Sequence, residues 1–236
     1  MYTFSEQISS GSAFVRIDVI GGEKREHVVE DDTFLNYRLA SVKVSSEITK
    51  DKPDIIWNIE KPTKDIVYKD DQLILDGFWE EGELNKIMVT MLANEMDKMG
   101  LHPFHSSAVR YRDKTILLLG GENNHGKSMS QLEGCRRGGQ IFSTETTVTD
   151  HTGLALFGSK NVYIRKRAKG TERSDLPNQD EGVRKFFDKE PEMTYFDGPT
   201  NIDLVIMPSI DGHFDTQVIP MIQFERCYQT YHSLID

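Results

Sequence analysis

The segment Lys114–Ser143 constrains this chain more than any other. An apolar run, Ile116 to Leu119, enters a glycine-rich turn, and the turn opens a stretch with helical spacing. Gly121, Gly126, Lys127 and Ser128 satisfy the phosphate-binding pattern of glycine, four residues, glycine, lysine and serine. Glycine admits positive φ, so the backbone can close around an anion with successive N–H groups pointing inward. Gly121, Glu122, Asn123, Asn124, His125, Gly126, Lys127, Ser128 and Met129 are therefore the expected lining of a nucleotide-phosphate cradle. Lys127 supplies a point charge and Ser128 a hydroxyl for magnesium, at a helix start whose dipole favours negative charge. Met129, Leu132 and Cys135 recur every three residues, Arg136 and Arg137 suit a helix end, and Gly138 terminates it. A chance glycine turn is the competing explanation, and the strand before and helix after weigh against it.

Composition narrows the partners. The 236 residues carry 28 Lys and Arg against 38 Asp and Glu, a formal charge of −10. That balance disfavours a general nucleic-acid or anionic-membrane surface and points to small molecules, peptides or proteins. Two cysteines, Cys135 and Cys227, make neither a disulfide framework nor a zinc cluster. No apolar run approaches the roughly 18 residues of a membrane span, and a cytoplasmic protein is expected.

Before the loop, Ala13–Ile20, Ser41–Val44, Asp54–Ile59, Ile66–Tyr68 and Gln72–Leu75 read as short strands, so residues 1–80 are expected to be a β-rich N-terminal part and 81–236 a nucleotide-binding core. Gly82–Met99 has the clearest helical spacing, with a methionine-rich stripe assigned to core packing. Leu101–Val109, a turn at Arg110–Asp113 and the strand entering the loop form an expected hairpin, which places His105 near the nucleotide in sequence. Gln140–Ser143 reads as the next core strand. Glu145 just beyond it is the best acid for magnesium or for proton transfer, and Asp150 is a weaker substitute.

Asn161–Ile164 reads as a strand leading into a basic, polar loop over 165–193, where Arg165 and Arg167 are weak candidates for substrate contact. Ile202–Met207 has the composition of a buried strand. Pro220 can open a helix with Phe224, Cys227, Tyr228, Tyr231 and Leu234 on one face.

The order of these elements, with a β-rich leader, a helix, a His-Ser-Ser-Ala-Val strand, a hairpin and only then a mid-chain phosphate loop, resembles the HPr kinase/phosphorylase family and the phosphoenolpyruvate carboxykinase-like kinases around it. The likeness covers roughly residues 84–150, with the strand at 202–207 as an extension. It implies a P-loop-containing α/β (α+β) fold on a mostly parallel sheet, with the nucleotide loop at the carboxyl ends of the strands. It also implies an ATP- and Mg2+-dependent kinase in which Glu145, His105 and Lys127 are catalytic and Ser128 and Glu145 hold the metal. The acceptor would be a hydroxyl of a small metabolite or of a peptide or protein serine, and the family admits a homo-oligomer. Family members usually carry two adjacent acids after the next strand, where this chain has Thr144 and Glu145, and Arg165 is a loose counterpart of their arginine-glycine signature. The alternative is a nucleotide-binding regulatory or scaffold protein with little or no phosphoryl transfer.

Overall fold

Alternation of buried and exposed side chains builds the first strands. Thr3–Ser10 (β1) buries Glu6, Ile8 and Ser10, and Ala13–Ile20 (β2) buries Ala13, Val15, Ile17 and Val19, the period of two that gives a strand one inward face. In this computed structural model, residues 3–23, 27–30, 32–120, 126–164, 185–187, 193–210 and 215–235 are described. The chain divides into two compact units at Gly100.

The first unit continues with Thr33–Arg38 (α1), Val42–Ser45 (β3), Ile55–Asn58 (β4), Asp65–Lys69 (β5), Gln72–Asp76 (β6) and Glu81–Lys98 (α2). Its six strands form one sheet in the order β3-β1-β2-β4-β6-β5, with β2–β4 and β4–β6 parallel. Helix α2 starts in a capping box between Glu80 and Glu83 and packs on β2. Met88, Met91 and Met96 are buried, so the methionine stripe is core over these positions, as its spacing predicts, while Met99 at the helix end is exposed. The helix joins the N-terminal sheet, and the first unit therefore runs to Gly100, past the boundary expected at residue 80.

Strand β1 was not expected from its polar sequence, TFSEQISS. The fully buried Glu6 hides the alternation. Its Oε2 accepts N–H bonds from Val28 at 3.1 Å and Val29 at 3.2 Å, and His27 Nδ1 lies 3.2 Å from Oε1. Burial raises the Glu6 carboxyl above its ordinary range, against the lowering effect of these neighbours. An acid with a raised folded pKa contributes its full stability below the unfolded pKa, and that contribution is lost as pH rises through the folded one. Glu6→Gln is expected to keep an acceptor for the two amides, so its melting temperature rises relative to wild type as pH goes from about 4 to about 7. Glu6→Ala strands both amides and costs about 1–3 kcal/mol, read by denaturant unfolding.

The second unit contains Leu101–Tyr111 (β7), Lys114–Leu119 (β8), Lys127–Arg136 (α3), Gln140–Ser143 (β9), Thr146–Asp150 (β10), Leu154–Gly158 (β11), Val162–Ile164 (β12), Lys185–Phe187 (β13), Thr200–Ile206 (β14) and Gln223–Tyr231 (α4). β7 and β8 form the expected hairpin, with Arg112 and Asp113 at φ 47° and 62° in its two-residue turn. Around them β7, β8, β14, β11 and β10 pair in a ring that returns to β7. A cluster of Ala108, Leu117, Leu119, Phe142 and Ala155 forms a core.

This arrangement corrects the expectation of a mostly parallel sheet. Among the described strands of this unit, β8–β14 is the parallel pair, and the other pairings are antiparallel. The tight β7–β8 and β10–β11 turns leave no room for the crossover a parallel pair needs. The architecture is mixed α/β with two mixed sheets and few helices, compatible with α+β.

Two further expectations change. Strand β14 is largely exposed along Asp203–Ile206, whereas its apolar composition reads as buried, because α3 packs on β7, β8 and β9. Helix α4 starts at Gln223 and buries none of its residues. Most of 165–193, including Arg165 and Arg167, lies outside the described residues, but β13 within it pairs with β12. No helix among the described residues is long and apolar enough to cross a membrane.

Candidate functional site

Strand β8 ends at Leu119, and after the loop α3 begins at Lys127. Gly121, Glu122, Asn123, Asn124 and His125 lie outside the described residues, so the site is built on the two flanks of the loop. Gly126 sits at φ 98°, a left-handed conformation that favours glycine, and a Cβ there would lie 2.7 Å from the Ile210 side chain. Lys127 Nζ donates to the Gly120 carbonyl at 2.5 Å, tying the end of the loop back to its beginning. The N-terminus of α3 has no side-chain cap among the described residues. First-turn N–H groups at such an end suit an anion. Ser128 and Met129 are exposed beside it.

Strand β7 supplies the opposite wall. Val109 lies beneath Gly134 and Gly139 at the far end of α3, which identifies the helix-facing side of β7, and alternation puts Ser107 and His105 on that same side. His105 Nδ1 is 3.2 Å from Glu145 Oε1, with both side chains mostly buried. The Ser107 hydroxyl, 1% exposed, has no hydrogen-bond partner among the described residues. Thus the histidine before the hairpin and the acid after the next strand, 40 positions apart by their numbers, meet as a pair.

Glu145 is held by its backbone. β9 and β10 both pair antiparallel with β7, and the chain kinks between them at Thr144 and Glu145. Ser106 N–H donates to the Glu145 carbonyl at 2.9 Å. Ser159 Oγ, fully buried, accepts the N–H groups of both Glu145 and Thr146 at 3.0 Å. The Thr144 hydroxyl donates to the Asn161 carbonyl at 2.6 Å, so its side chain serves the turn. Gly158 is required beside the kink: a Cβ there would sit 2.7 Å from the Thr146 carbonyl.

Helix α3 is joined to this turn by Gln131, whose Nε2 donates to the Ser143 carbonyl at 2.5 Å from a buried position one turn after Lys127. Lys160 Nζ donates to the carbonyls of Phe142 at 2.5 Å and Phe196 at 2.7 Å, fixing the same strand end from the other side. Sequence reasoning missed Ser159, Lys160 and Gln131. Of the three, only Gln131 leaves a signal, a polar residue four positions after Lys127 in an otherwise ordinary helix.

Asp150 falls out of the site. It pairs with Leu101, at the end of β10 away from the Thr146↔His105 pair. Its carboxylate accepts the Thr152 hydroxyl at 2.6 Å and the amides of Thr152 and Leu154. The Thr152 hydroxyl, followed by these amides, lowers its pKa. It is a turn cap.

The chemistry of the donors suits phosphate and a hard cation. A helix start with Lys127 in its first turn suits phosphate oxygens, and the Ser128 hydroxyl and Glu145 carboxylate are oxygen ligands of the kind magnesium takes with one or two protein groups and otherwise water and phosphate. Among the described residues no group of three or more His, Cys, Asp or Glu could hold a metal by itself.

Ser159→Ala removes the shared acceptor. It should lower stability by about 1–3 kcal/mol through two stranded amides. If Glu145 reacts, kcat should fall at least about tenfold as its carboxylate loses its placement, and steady-state kinetics with thermal unfolding would separate the two effects. Compared with protein-family models and with curated proteins, the chain matches none.

Proposed function

We propose that this chain is an ATP- and Mg2+-dependent phosphotransferase, similar to HPr kinase, that moves the γ-phosphoryl group to a hydroxyl of a small metabolite or of a peptide or protein serine. The observation that carries this reading is the His105–Glu145 pair at 3.2 Å, on the same face of β7 as the helix that starts at Lys127.

In the proposed reaction the acceptor oxygen attacks the γ-phosphorus in line, the bond from phosphorus to the β–γ bridging oxygen breaks, and ADP leaves. Glu145 takes the hydroxyl proton, with His105 beside its Oε1 orienting the carboxylate. Lys127 moves from the Gly120 carbonyl to the phosphates, and first-turn amides of α3 hold the same oxygens. Ser128 and Glu145 would hold magnesium, which would supply charge neutralisation at the phosphates.

The test is a titration of the protein with magnesium-ATP and magnesium-GTP, with phosphorylated product sought in the same samples over a panel of hydroxyl acceptors. Saturable binding with product supports the kinase. No binding of either nucleotide would end it.

A nucleotide-binding regulator is the second reading, favoured by Thr144. With its hydroxyl committed to the Asn161 carbonyl, one acid serves where the family uses two. Tight nucleotide binding without product over the whole panel would favour it.

A further inference from the structure

Strand β14 lies between β8 and β11 in the strand ring, yet Val205 is 52% exposed on one face, and on the other Leu204 is 51% and Ile206 38% exposed. Their partners across the pair are Ile116 and Leu118, so these side chains share the sheet face that α3 covers farther along, over β7. Exposed apolar side chains of this kind on an interior strand mark a surface that another element can cover.

Helix α4 has the converse property. Phe224, Tyr228 and Tyr231 fall on one face by their spacing, Phe224 and Tyr228 stack at 6.1 Å, and the three are 73%, 51% and 66% exposed. The extended stretch before the helix exposes Val218 at 93% and Ile219 at 77%. The far end of α4 is fixed. The Ser233 carbonyl accepts the His105 N–H, Leu234 bridges Phe104, and Ile235 N–H donates to the Pro103 carbonyl. The root of the arm is therefore on β7, with β8 between β7 and β14.

We propose that two copies of the chain associate by reciprocal exchange, the arm Asp215–Tyr231 of each lying along the exposed β14 face of the other. A helix with an unfilled apolar stripe and a sheet with an uncovered one are the two halves of a helix-on-sheet layer. A two-fold arrangement buries both halves twice.

The area is close to that of a stable interface. At ~200 Å² per aromatic side chain, the three aromatic residues leave on the order of 400 Å² open per copy. With Val218, Ile219, Leu204 and Ile206 the patch exceeds the roughly 300–600 Å² of the largest patch on a typical monomer and approaches the ~800 Å² per partner of a stable interface.

Charge separates this occupant from a lipid surface. Amphipathic helices that lie on anionic membranes are rich in Lys and Arg on their polar face. The polar positions of α4 include Glu225 with Arg226 as its basic residue, on a chain of formal charge −10.

The experiment is sedimentation of the full chain up to about 100 μM, well above a micromolar Kd, for wild type and for Phe224→Ser/Tyr228→Ser/Tyr231→Ser. These residues are exposed, so the variant is expected to fold. Wild type should sediment as a dimer and the variant as a monomer. A second measurement uses Cys227 of α4 in a Cys135→Ser background. A tagged chain carrying Leu204→Cys and Cys227→Ser is mixed with an untagged chain keeping Cys227, and a short bismaleimide should give a product of mixed mass. A monomeric wild type, an unchanged dimer in the triple variant, or the absence of the mixed product each overturns the proposal.

Discussion

Lys127→Ala is expected to weaken binding of magnesium-ATP by about 10- to 150-fold. The lysine ammonium makes a charge-assisted bond to phosphate, and losing such a bond costs about 1.5–3 kcal/mol, where every 1.4 kcal/mol is tenfold. Turnover should fall further, by about 10²–10³, because charge on the transferring group grows in the transition state and a fixed cation opposite it counts for more there. The fold should tolerate the change. Lys127 is partly exposed, and its bond to the Gly120 carbonyl is a local tie across the loop, so the melting temperature should move by no more than about 2–4 °C, which is about 1 kcal/mol in a chain of this size. Isothermal titration and a thermal melt on the same preparation check both halves. Wild-type affinity in the variant would mean that the loop binds no phosphate.

Several parts of the molecule were legible because they obey local rules. The β7–β8 hairpin follows from two apolar runs around Arg112 and Asp113, and α2 from its spacing. The flanks of the glycine-rich loop followed from Ile116–Leu119 before it and a helix at Lys127 after it. What stayed hidden is decided by contacts distant in sequence. β1 is polar in sequence and becomes a core strand because Val28 and Val29 satisfy the buried Glu6. β10 was unread because Thr146–Asp150 is polar by composition, with its threonines placed by partners such as Ser106 and Ser159. β14 misled in the other direction: Leu204, Val205 and Ile206 look buried, and whether such a strand is covered depends on where the helices lie.

The candidate site divides in the same way. His105 and Glu145 could each be named from their positions relative to strands, but their approach depends on β9 and β10 pairing with one long strand, which neither segment declares. Ser159 and Lys160 act through backbone groups of the kink and of β9, and a serine or lysine used in that way has no sequence pattern. A polar side chain is placed there because buried amides and carbonyls must be paired.

Glu145→Gln is expected to lower kcat by about 10²–10⁴, the range of a lost general base, while KM for ATP stays within about threefold. The amide is nearly isosteric, and the backbone bonds to Ser106 and Ser159 that hold the kink do not involve the side chain. A fall in kcat with KM unchanged marks an interaction made only in the transition state. His105→Asn, which removes the imidazole beside Glu145 Oε1, should have a smaller effect of about tenfold, since it disturbs the orientation of the base and leaves the carboxylate in place. A magnesium titration of turnover in Glu145→Gln separates the two roles open to this acid. If Glu145 takes the proton, the magnesium midpoint stays where it is in wild type; if it also holds the metal, the midpoint rises because one of the few carboxylates that magnesium uses has gone. Full activity in Glu145→Gln would remove the pair from the chemistry altogether and leave the glycine-rich loop to act in binding alone.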